Sequence, residues 1–129
     1  MYQKPSAAFV GASWVALGAG MVGFLVGLWR SELVLNEKGY YFTVLMYGLF
    51  SVVSVQKSVR DRLEGVPVTD IYYGLSWFST LLSIGLLTVG LWNATMLPSE
   101  KGFYAFAFLL ALFGAIAVQK NTRDSQIKE

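Results

Sequence analysis

Charged residues punctuate this chain at regular places and leave four apolar stretches between them. Ala7 to Trp29 and Ile71 to Trp92 carry no charged side chain, and two shorter uncharged stretches, Gly39 to Gln56 and Gly102 to Gln119, follow them. At about 1.5 Å of rise per residue the first run makes roughly 34 Å of helix, enough to cross a hydrocarbon core of roughly 30 Å. The shorter pair lie near the lower limit for spanning. The pattern predicts four transmembrane helices.

The punctuation also repeats. At an offset of 63 residues, Gly11 to Asp61 aligns with Gly74 to Asp124 without a gap. The matches include Trp14 with Trp77, Gly27-Leu28-Trp29 with Gly90-Leu91-Trp92, Glu37-Lys38-Gly39 with Glu100-Lys101-Gly102, and Gln56-Lys57 with Gln119-Lys120. Arg60-Asp61 and Arg123-Asp124 close the two copies. Apolar composition alone does not produce such pairs, so the chain is a tandem repeat. The expected fold is an all-α membrane protein of two parallel-repeat helical hairpins, the first over 7–64 and the second over 71–124. A linker at 65–70, broken by Gly65 and Pro67, joins them, and 125–129 form a tail. Each unit crosses twice, so both enter the membrane in the same direction and are related by an axis along its normal.

Composition strengthens this reading: 55% hydrophobic against 14% charged residues is too apolar for a soluble domain of 129 residues. The first run is too long for the core of a cleaved signal peptide and is expected to stay as an anchor. With no Cys and no His, the chain lacks thiolate and imidazole chemistry and the usual ligands of zinc, copper and haem, so no metal or cofactor is expected. A net charge of +2 is too small to imply nucleic acid. The basic residues instead report topology. Lys4, Lys57, Arg60, Arg62, Lys120, Arg123 and Lys128 fall on the termini and central loop, against Arg30, Lys38 and Lys101 on the other two loops. The positive-inside rule places the termini and the central loop in the cytoplasm.

The repeated motifs have structural readings first. Trp29 and Trp92, at the ends of their runs, suit the aromatic belt, whereas Trp14 and Trp77 lie deeper and are expected to pack between the hairpins. Glu37 and Glu100 stand at helix starts, where a carboxylate complements exposed amides and the helix dipole. Lys57, Arg60, Lys120 and Arg123 form a basic collar at two helix ends, with Lys57 and Lys120 each four residues before an Asp; the same cations suit anionic lipid headgroups. Gln56 and Gln119, near the apolar boundary, are candidates for hydrogen bonds between helices, and Gly23 with Gly27 for a close helix contact. No Asp, Glu, Lys or Arg interrupts the four runs, which argues against a pump built around a buried carboxylate. There is no nucleophile-base constellation and no phosphate loop, so no enzymatic activity is expected.

Taken together, Glu37-Lys38-Gly39-Tyr40-Tyr41-Phe42, Gln56-Lys57 with Val59-Arg60-Asp61, Val89-Gly90-Leu91-Trp92-Asn93-Ala94-Thr95, Ser99-Glu100-Lys101-Gly102-Phe103-Tyr104 and Val118-Gln119-Lys120-Asn121 resemble the YiaA/YiaB family. These are small bacterial inner-membrane proteins defined by a two-helix domain, and the resemblance covers Ser13 to Asp124. It implies two copies of that domain, four transmembrane helices and residence in the inner membrane, and it brings no catalytic residue with it. The functional expectation is lateral association with membrane lipids, with further copies as a homo-oligomer, or with a membrane protein partner. The alternative is a small-solute transporter or channel formed by an oligomer. Ser76, Ser79, Thr80 and Ser83, with Gln56 and Gln119, discriminate the two: transport needs them around a common wet cavity, association puts them in helix contacts.

Overall fold

A computed structural model describes residues 4–126 and contains four long helices: α1 (Ala7–Arg30), α2 (Leu35–Leu63), α3 (Asp70–Asn93) and α4 (Pro98–Ser125). All four are long and apolar enough to cross a membrane. Lys128 and the end of the tail lie outside the described residues.

Local chemistry sets the boundaries. Ser6 and Thr69 cap α1 and α3, accepting the amides of Phe9 and Tyr72 at 3.1 and 3.2 Å. The starts of α2 and α4 have apolar cap residues that accept nothing through their side chains. There Glu37 and Glu100 reach back to the amides of Val34 and Leu97 at 3.3 and 3.0 Å, so the repeated Glu caps both helices. Pro98 opens α4, where its missing amide costs nothing. The end of α2 is a Schellman turn: the Val66 amide bonds the Asp61 carbonyl at 2.8 Å across Gly65, whose φ of 78° is open to glycine. Helices α2 and α4 run beyond the apolar stretches that predicted them. Both continue for about two turns through the collar, because the charges there are paired.

The packing crosses the repeats. α1 lies along α4, α3 lies along α2, and α2 meets α4 at the centre, whereas α1 with α2 and α3 with α4 touch little. The two units are therefore not self-contained hairpins but interlock. Repeat-related contacts recur in both directions. The rings of Phe103 and Tyr104 cover Gly27, and those of Tyr40 and Tyr41 cover Gly90 in the same way. Tyr41 and Tyr104, equivalent to each other, stack with centroids 6.3 Å apart and so mark the pseudo-twofold axis between α2 and α4. Beneath them Phe24, Leu45 and Phe108 are fully buried. Among the glycines, the closest approach to the backbone of another helix lies at Gly20 against Ala111 and at Gly114 against Leu17, where a Cβ would stand 2.7 and 2.6 Å from the facing Cα atoms.

Two sequence expectations change here. The close contact expected of Gly23 and Gly27 falls instead on Gly20, one turn earlier; Gly27 accommodates aromatic rings, and a Cβ at Gly23 would meet Phe103 at an ordinary 3.7 Å. Trp14 and Trp77 do not pack between the repeats, being 56% and 42% exposed. Their neighbours Ser13 and Ser76 take the inward positions, and one residue of helix turns the indoles toward lipid.

Candidate functional site

Among the described residues, the buried charged side chains, Arg60, Asp61 and Asp124, gather at one place, the end of the bundle that carries the termini and the central loop. The repeat sets the charged residues there on two helices: Lys57, Arg60 and Asp61 on α2, and Lys120, Arg123 and Asp124 on α4. Residues at i and i+4 share a helix face, so Lys57 donates to Asp61 and Lys120 to Asp124, both at 2.8 Å. The arginines cross the axis. Arg60 pairs with Asp124, and Arg123 pairs with Asp61 at 2.6 Å. Each aspartate thus holds one cation from its own helix and one from the other repeat. An adjacent Arg-Asp pair placed on both sides of a twofold axis produces this reciprocal exchange.

Glu64 breaks the symmetry, since it accepts from Arg123 at 2.9 Å and from Arg60 at 2.6 Å. The Arg123 guanidinium, with Arg60 beside it, holds the Glu64 carboxyl below the usual glutamate range. A lowered value means that its contribution is complete at neutral pH and is lost only as pH falls through it. Arg62, further out, pairs with the fully exposed Asp70 and lies over the ring of Tyr73 at 4.0 Å, tying the end of α2 to the start of α3.

The four collar residues therefore divide. Arg60 and Arg123 are turned inward, with side chains 7% and 21% exposed, while Lys57 and Lys120 remain about half exposed at 55% and 52%. Gln56 and Gln119 are half-buried and, among the described residues, bond to no neighbour. The amide that bridges helices is Asn121, which donates to Ser13 Oγ at 3.0 Å while Ser13 donates to the Phe9 carbonyl at 2.8 Å. Sequence reasoning passed over Asn121 because Ser58 takes its place in the first repeat. Ser13→Ala is expected to lower stability by about 1 kcal/mol by leaving the buried amide unpaired, measured by denaturant unfolding in detergent.

At the opposite end Glu37 and Glu100 both line a polar recess of about 600 Å³ with Arg30, Glu32 and Tyr104. Among the described residues, no group of three or more acidic side chains is arranged to hold a metal ion.

Comparison with known proteins agrees with this repeat geometry. The family described as the yiaA/B two helix domain matches the chain twice, over residues 9–61 and 72–124. The chain belongs to the YiaAB family. It is 60% identical to the inner membrane protein YiaA of Escherichia coli over 95% of its own length and 84% of that protein. To the inner membrane protein YiaB of the same organism it is 33% identical, over 79% and 87% of the two chains. It is also 40% identical, over 52 residues, to the uncharacterized membrane protein YubF of Bacillus subtilis. That match covers 40% of this chain, about the span of one repeat. No solved structure is significantly similar to it. In this YiaAB protein the two domain copies are the two interlocked units, and the reciprocal ion pairs join one copy to the other.

Proposed function

We propose that this inner-membrane protein is non-enzymatic and works through lateral association with membrane lipids, with further copies of itself or with a membrane protein partner. The hydroxyls of α3 carry the reading. Ser76, Thr80 and Ser83 are buried against α2, and each donates to a carbonyl of its own helix, to Tyr72, Ser76 and Thr80 at 2.8, 3.0 and 2.8 Å. Hydroxyls spent in this way serve helix packing. The space beside Ser76 and Ser79 is a notch of only about 80 Å³ between α2 and α3. Purified protein in liposomes is expected to leave the flux of potassium and of small neutral solutes at the level of empty liposomes. Native mass spectrometry after mild extraction should show it with bound lipid, a second copy or a partner. Protein-dependent solute flux would overturn the reading in favour of a transporter or channel.

The bias of basic residues supports a topology with the termini and the central loop in the cytoplasm. Single cysteines test this in a chain that has none. Ser99 is exposed in the first turn of α4 and suits one probe. Ser58 is fully buried and does not suit the other, so the central loop is probed at Val66, which is 44% exposed. An impermeant thiol reagent on intact cells should label Ser99→Cys and spare Val66→Cys. The reverse pattern would invert the topology.

A further inference from the structure

α1 and α2 touch little, and between them, at the end opposite the ion pairs, lies a groove of about 760 Å³. Its wall is apolar, built from Leu25, Leu28 and Trp29 of α1 and from Leu35 and Phe42 of α2. One cation, Lys38, stands in it. The Lys38 ammonium donates to the Trp29 carbonyl at 3.1 Å, which fixes it at the exposed end of α1 beside the belt indole and leaves further N–H donors free.

We propose that this groove seats one glycerophospholipid, its acyl chain against Leu25, Leu28 and Phe42 and its phosphate on Lys38. The proposal names the lipid partner in the association reading and rests on it. Charge complementarity selects the occupant. An apolar wall with a single ammonium at headgroup level matches a molecule that has a hydrocarbon chain at one end and an anionic phosphate at the other. A helix of another protein or of a second copy would have to draw the ammonium out of water against apolar side chains. The second repeat supplies an internal control. It keeps Leu91, Trp92 and Lys101 but has Thr88, Pro98 and Ala105 where the groove has Leu25, Leu35 and Phe42. Lys101 therefore offers the same charge without the same apolar wall.

The test titrates the full chain, delipidated in detergent, with phosphatidylglycerol and with diacylglycerol of identical acyl chains, read by native mass spectrometry. Wild type should retain one phosphatidylglycerol under conditions that strip the diacylglycerol. Lys38→Gln, and separately Phe42→Ala, should each weaken that binding about tenfold, the loss of one charge-assisted contact or of one large apolar wall residue. Lys101→Gln should stay close to wild type. Equal behaviour of Lys38→Gln and Lys101→Gln, equal retention of the two lipids, or a second copy bound in place of lipid would each overturn the site. Solute flux, which decides the association reading, is independent of this titration, so the two can fail separately.

Discussion

Replacing Gly20 or Gly114 with leucine is expected to pry α1 from α4 and to destabilise the bundle more than any substitution on its lipid-facing surface. At both positions the obstacle is backbone: Cα of Ala111 for Gly20 and Cα of Leu17 for Gly114. A side chain can swing aside, but a helix backbone moves only with its whole element. Overpacking a core usually costs about 1–3 kcal/mol, and a clash with backbone is expected to cost at least the upper end of that range. Gly18 provides the comparison, since no atom outside its own helix lies within 4 Å of a Cβ built there. Gly18→Leu should therefore be close to neutral. Gly27→Leu falls between them, because its obstacle is the Phe103 ring at 2.8 Å, the far end of a side chain. Thermal unfolding followed by circular dichroism in detergent ranks the series. If Gly20→Leu melts with Gly18→Leu, the α1–α4 contact is not the tight one.

Arg60→Ala is the second large effect, because it leaves the buried Asp124 carboxylate without its partner from the other repeat. Breaking a buried ion pair from one side costs about 3–5 kcal/mol, and the lower figure is expected here because the pairs lie at the end of the bundle, where water reaches. Lys120 still neutralises part of the stranded charge. Arg62→Ala is the matched control: its partner Asp70 is fully exposed, and a surface pair contributes about 0–1 kcal/mol. A double-mutant cycle between Arg60 and Asp124 should give a coupling of about 1–3 kcal/mol, whereas Arg62 with Asp124 should add independently. Arg60→Ala no more harmful than Arg62→Ala would mean that the reciprocal pairs do not hold the repeats together. Replacing all four collar cations together confounds two roles. Lipid attraction at this end is read from Lys57 and Lys120, whose side chains face outward.

Much of the local structure was legible before folding. The caps at Glu37 and Glu100 follow from neighbours three residues apart, and the Lys57–Asp61 and Lys120–Asp124 pairs from neighbours four apart. The candidate site was legible only in part. The collar was visible as repeated charge, but nothing local indicated that Arg60 would turn to Asp124, 64 positions away, rather than to a lipid phosphate. The amide bridge fell on Asn121 rather than on the repeated Gln56 and Gln119 for the same reason: its partner Ser13 is distant in sequence and close only across α1 and α4.

By itself the sequence determined four spans, the duplication and the common direction of both units, because span length, charge placement and repeat offset are one-dimensional quantities. Only the tertiary structure decided that α1 seats on α4 and α3 on α2, that Gly20 rather than Gly23 and Gly27 makes the close crossing, and that Trp14 and Trp77 face outward. The reason lies in the solvent. In water the buried face of a helix is apolar and the exposed face polar, so the pattern names the inner face. In a bilayer both faces are apolar, and the inner one is chosen by shape, by small residues and by a few polar partners that meet only when the helices do.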